Sequence, residues 1–233
     1  MERKRFFTSR NIAFLAVFTA LVVVLQTVGG SIKIGTTSLS LVLIPIVLGA
    51  VMMGPWVGAF LGGVFGLIVV IYGVTGADAF TYILFCEQPF VTIALCLVKG
   101  IAAGFVSGIL YRAVRNKNRT VAVFLASVAA PVVNTGIFIV GSLLMTETIT
   151  ANFLAEGTTL FYFLFISCAG VNFLVELAVN IVASPAIYTV SRVIGRQYEK
   201  KHVRPAAAEG PSAEDAEQET NGTRALSDED TGL

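Results

Sequence analysis

Long apolar runs separated by short polar connections dominate the chain, and their lengths predict helices that cross a membrane. A crossing helix needs about 20 mostly apolar residues. The first such run covers 11–29, and the polar stretch SIKIGTTSLS follows at 31–40. An apolar stretch then extends from Leu39 to Tyr72, too long for one crossing and too short for two full ones. Gly54-Pro55 divides it, because a proline cannot continue a helix through the residue before it without strain. The pattern predicts helices at 39–53 and 56–73 joined by a very tight turn, the first of them short. Residues 74–89 (VTGADAFTYILFCEQP) read as a loop with a short membrane-skirting piece at 79–86. Further crossings are predicted at 90–112, 121–144 and 160–191. The fold class is therefore all-α: a polytopic membrane protein built as a bundle of six transmembrane helices.

Glycine sharpens this picture. Gly54, Gly58, Gly62 and Gly66 recur at every fourth position, and Gly100, Gly104 and Gly108 repeat the spacing. Residues four apart share one helix face, so each series strips a narrow stripe of side chains. Lipid tails are as apolar as leucine, and bare stripes that admit a neighbouring backbone are how membrane helices associate. These seven glycines are predicted helix-packing positions.

Composition agrees: 55% of the 233 residues are apolar and 13% are charged, against roughly 25% charged in soluble domains. The net charge of +1 conceals an asymmetry, because residues 205–233 hold eight acids and one base, Arg224. That tail has one large apolar side chain between Pro205 and Thr231, Leu226. It cannot bury enough surface to offset its ordering entropy, so 201–233 is predicted to be an acidic, disordered, cytoplasmic tail after a membrane domain of 1–200. The apolar run from Ile12 to Val28 exceeds the usual signal-peptide core and no A-x-A-like site follows it, so it reads as a retained first helix.

Bases sort by connection. Arg3, Lys4, Arg5 and Arg10 precede the first run, Arg112, Arg115, Lys117 and Arg119 fill the 112–119 connection, and Arg192, Arg196, Lys200, Lys201 and Arg204 follow the last crossing. The other connections hold one base, Lys33, with Asp78, Glu87, Glu147 and Glu156. Lys/Arg excess marks the cytoplasmic side, so both termini and the 112–119 loop are placed there, an arrangement that needs an even number of crossings.

The motifs for enzyme chemistry are missing. The chain has no G-x-x-x-x-G-K-[ST], no H-E-x-x-H and no G-x-S-x-G. Its one histidine, His202, follows the last apolar run, and Cys86, Cys96 and Cys168 make no metal spacing and read as small buried apolar residues. No metal, cofactor or nucleic-acid partner is implied. Interest falls on the few polar groups at membrane depth, which are costly there and face a partner or a cavity. Lys99 lies about nine positions, some 14 Å, into the fourth run. Glu176 lies midway along the last, sharing a face with Asn172 and Asn180. Asn134 lies about one turn past Pro131, and Gln88 lies at the mouth of the fourth run. Two readings stand: Lys99 and Glu176 neutralise each other while the asparagines bond between helices, or these groups line a cavity open to the outside. The absence of a convincing repeat between the two halves and a small body speak for a binding subunit energised by something else.

Residues 44–70, IPIVLGAVMMGPWVGAFLGGVFGLIVV, resemble the second-to-third helix region of the substrate-binding S components of energy-coupling factor (ECF) vitamin transporters. The first helix, RNIAFLAVFTALVVVLQ at 10–26, resembles that family's opening, with Ala16 and Ala20 in an A-x-x-x-A arrangement. The resemblance covers about 8–195. It implies a plasma-membrane protein of a bacterium or archaeon that binds a vitamin-like small molecule from outside. It further implies docking on a module of one transmembrane coupling protein and two cytoplasmic ATPases, which topples it in the membrane. Ala16 and Ala20, with Ala13 nearby, would form the docking face. The pocket would draw on Asn134, Asn172, Glu176, Lys99, Tyr82 and Gln88. Residues 44–70 look most like the pantothenate subgroup, yet 97–100 read LVKG where that subgroup would carry a proline–arginine pair. Riboflavin, folate, niacin, thiamine and a queuosine precursor therefore stay open beside pantothenate. A membrane structural or assembly protein without ligand, a stand-alone small-solute transporter and a membrane enzyme are the alternatives. Trp56 reads as an interfacial anchor.

Overall fold

The structure, a computed structural model, describes residues 9–30, 33–34, 37–38, 41–154, 158–168 and 170–203. The predicted acidic tail beyond residue 203 lies outside the described residues. Chain contacts separate residues 1–191 from residues 192–233.

Helix α1 covers Ser9–Gly30, α2 Leu43–Met53, α3 Pro55–Thr75, α4 Ala79–Glu87, α5 Pro89–Val114, α6 Arg119–Leu143, α7 Thr146–Phe153 and α8 Leu160–Tyr162. A π-helical stretch, Phe163–Cys168, precedes the last helix, α9, at Gly170–Val203. Five helices of the described chain are long and apolar enough to span a bilayer, with mean hydropathy between 1.7 and 2.4 over their best windows. The chain is an all-α polytopic membrane protein. Among the described residues the one sheet is a two-residue ladder, β1 (Lys33–Ile34) on β2 (Thr37–Ser38), with Lys33 opposite Ser38 and Ile34 opposite Thr37.

The predicted crossing at 39–53 is the exception to the span pattern. Helix α2 has 11 residues, about 16 Å at 1.5 Å per residue, roughly half the hydrocarbon thickness. It survives because it is wrapped: Leu43, Ile46, Val47 and Ala50 are fully buried. Gly54 ends it with φ 109°, a backbone that only glycine adopts easily, and Pro55 supplies the first residue of α3, where its missing N–H costs nothing. The chain reverses there, so that a Cβ on Gly58 would lie 2.6 Å from the Ala50 Cβ.

Helices α3 and α5 run antiparallel with their glycine stripes face to face. A Cβ on Gly62 would fall on the Gly100 carbonyl oxygen, one on Gly58 or Gly104 on the other's carbonyl oxygen, and one on Gly66 2.5 Å from the Cys96 oxygen. A Cβ on Gly108 would sit 2.5 Å from the Pro55 Cα. Backbone meets backbone along the whole seam, and α6 packs against the far side of α5. Helix α1 turns Phe18, Val22 and Gln26 inward. Asn118 caps α6, its Oδ1 accepting from the Thr120 and Val121 amides at 3.0 and 3.2 Å.

Two connections are more ordered than the hydropathy pattern predicts. The skirting piece at 79–86 is helix α4, and the connection at 145–159 contains α7. Both bury their apolar sides in a second small core of Phe80, Leu84, Met145, Ile149, Phe163 and Leu164. The last predicted crossing, 160–191, is a broken element: a short helix, the π stretch and then α9, which runs on to Val203.

Candidate functional site

Lys99 projects from α5 between two rings. Its Nζ lies 5.2 Å from the Phe138 centroid on α6 and 5.9 Å from the Phe65 centroid on α3. The bare seam beside it makes this reachable, because Gly62 and Gly100 bring α3 close enough for Phe65 to cover the lysine. Asn134 lies one turn before Phe138 on the same face of α6. It is 6% exposed, and its Oδ1 has no hydrogen-bond partner among the described residues. Phe138 is thus the link between the two: the Lys99 ammonium lies over its ring, and Asn134 precedes it by one turn of α6.

The rings continue toward the α4/α7 cap. Phe138 lies 5.9 Å from Phe80, Phe80 lies 4.8 Å from Phe153, and Phe153 stacks on Phe163 at 5.9 Å. Four phenyl groups therefore link Lys99 to the π stretch. Gln88, at the α4–α5 junction, donates from Nε2 to the Thr148 hydroxyl on α7 at 3.2 Å, tying the two halves of the cap together. Thr148 and Gln26 are among the buried polar residues that sequence reasoning missed. Gln26 is 2% exposed with Oε1 unpartnered, and its inward position on α1 repeats the Phe18–Val22 spacing that could have marked it.

The remaining candidates are on α9 and α4. Glu176 is buried on α9, Asn172 is half-buried, and both are partnered. Asn180 donates from Nδ2 to the Glu176 backbone oxygen at 2.8 Å. Tyr82 is 44% exposed on α4, and its hydroxyl contact with Cys86 holds the phenol above its ordinary value of 10. Cys86 is exposed, contrary to the buried role predicted for the cysteines, because α4 turns that face outward; Cys96 is buried against the seam. A groove of about 340 Å³ between α5 and α6 is lined by Val91, Ala94, Leu95, Val98, Gly136, Ile137, Val140, Gly141 and Leu144. None of the predicted pocket residues lines it, and no side chain in it can fix a polar ligand. Ala13, Ala16 and Ala20 are exposed on α1, opposite its buried Phe18–Val22–Gln26 face.

Long apolar helices packed into a bundle, with a few buried polar groups, define a multi-pass membrane protein. The chain matches the family described as ECF transporter, substrate-specific component, over residues 10–188, and it belongs to that family. It is therefore a transport component and not an enzyme. Such S components bind a small-molecule substrate and couple to an ECF module in the membrane. No curated protein matches the chain.

Proposed function

We propose that the chain captures an anionic, carboxylate-bearing micronutrient of the B-vitamin class, with pantothenate the first ligand to test. Riboflavin, folate, niacin, thiamine and a queuosine precursor complete the panel. One observation carries this reading: the Lys99 ammonium lies among phenyl faces in the middle of a span. Removing an ammonium from water costs several kcal/mol, and cation–π contacts return about 2 kcal/mol when desolvated. A ligand carboxylate beside Lys99 offsets the remainder, and the unpartnered Asn134 oxygen accepts a ligand hydroxyl or amide N–H. The phenyl chain from Phe138 to Phe163 packs the ligand's apolar part. The Gln88–Thr148 hydrogen bond is a contact that opening of the cap would break.

The same reading places the termini and the 112–119 loop in the cytoplasm, with the cap outside. The exposed alanines of α1 receive the coupling protein, whose two ATPase partners supply the energy this chain lacks. Equilibrium binding of the purified subunit to the vitamin panel tests the proposal. Saturable, submicromolar binding of one anionic member is the expected result. Preference for a cationic or neutral member overturns the role given to Lys99, and binding of no member overturns the whole reading.

A further inference from the structure

The end of the bundle remote from the cap carries an unabsorbed charge pattern. Helix α5 has 26 residues, about 39 Å in length, against a hydrocarbon thickness of about 30 Å. With Pro89 at one surface, the chain leaves the hydrocarbon near Ile109. Arg112, Arg115 and Lys117, all exposed, then stand in the headgroup layer. The acids of residues 41–154 are Asp78, Glu87 and Glu147, and all lie at the opposite ends of α3, α5 and α6. No acid in that stretch neutralises the three cations.

Two further features set the depth and shape of this surface. Trp56, at the first turn of α3, is 74% exposed and leans on Phe105 with centroids 5.1 Å apart, an amphipathic ring at interface level. The Arg112 guanidinium lies over the α2–α3 turn, its Cζ 3.1 Å from where a Gly54 Cβ would be, so the absent side chain holds a place for the cation. We infer that Arg112, Arg115 and Lys117, with Trp56 beside them, form a binding surface for the phosphate of an anionic phospholipid. Guanidinium groups match phosphate oxygens in pairs, and each basic residue at a membrane surface adds attraction to anionic lipid.

Native mass spectrometry of the full chain, released from micelles doped equally with phosphatidylglycerol and phosphatidylethanolamine of matched chains, tests this. The wild type should retain phosphatidylglycerol at least about fivefold over phosphatidylethanolamine, each removed charge weakening retention several-fold. R115Q/K117Q should bring the ratio close to parity, while R115K/K117R, which keeps the charge, should hold it. An unbiased wild type, or a double variant that keeps the bias, overturns the inference. A loss of bias in R115K/K117R equal to that in R115Q/K117Q also overturns it, because the effect is then one of folding. Vitamin binding is a separate readout and should be unchanged in both variants.

Discussion

Replacing Gly62 with alanine adds one methyl group to the α3–α5 seam, and the structure says where it goes. The new Cβ falls on the Gly100 carbonyl oxygen, 2.5 Å from its carbon and 3.1 Å from the Ile101 nitrogen. All three atoms are backbone, so no side-chain rotation relieves the clash. Ordinary contact begins near 3.4 Å, and the helices must part by about 1 Å. A gap of that size forfeits a quarter to a half of each dispersion contact along the seam, including those at Gly58–Gly104 and Gly66–Cys96. Overpacking of this kind costs about 1–3 kcal/mol, and alanine's better helix propensity returns up to about 1 kcal/mol. The net expectation is a loss of about 1–2 kcal/mol. Two controls share the chemistry and lack the clash. Gly63→Ala meets only the Ile101 side chain at 3.5 Å, and Gly136→Ala has nothing within 4 Å. Both should be neutral or stabilising. Reversible unfolding of purified protein in mixed detergent, with the midpoint converted to free energy, makes the comparison. Equal stability of G62A and G63A would refute the backbone-on-backbone account of the seam.

Lys99→Met removes the charge while keeping the length, and a lost charge-assisted hydrogen bond of about 1.5–3 kcal/mol should raise the Kd for the anionic ligand by roughly tenfold to a hundredfold, read by equilibrium binding. Asn134→Ala should weaken binding by about 1 kcal/mol and change ligand preference more than stability, because its oxygen has no hydrogen-bond partner to lose. Ala16→Trp or Ala20→Trp should abolish uptake into vesicles containing the ECF module while leaving the Kd of the isolated subunit unchanged; joint loss of both activities would remove the alanines from the docking role. Gln88→Ala should speed ligand release in stopped-flow measurements by several-fold, since it removes the Gln88–Thr148 tie between the α4–α5 junction and α7.

Much of the fold is legible along the chain because membrane helices announce themselves by length, and a four-residue glycine period has one structural use in lipid. Gly54-Pro55 is equally legible, since glycine's freedom and proline's fixed φ leave little else for that dipeptide to do between two apolar runs. The shortness of α2 as a buried half-length helix is less so: burial by neighbours, rather than its own composition, permits it. The π stretch at Phe163–Cys168 has no period to betray it. The Gln88–Thr148 bond joins residues 60 positions apart and the Phe80–Phe153 contact spans still more of the chain, and no local pattern encodes a contact of that range. Lys99 stands out in sequence as a charge at depth, but its escorts, Phe65 and Phe138, look like any other apolar residues until α3 and α6 are set beside α5.

Glycine has no χ angles, so where Gly58, Gly62 and Gly66 meet α5 the contact owns no rotamers, and the Phe65 ring beside Lys99 is a side-chain contact that joins the same two helices. Along the glycine positions the two helices meet as rigid backbones. A change at Lys99 has torsional routes only through the rings beside it, Phe65 toward α3 and Phe138 toward Phe80 and the small helices.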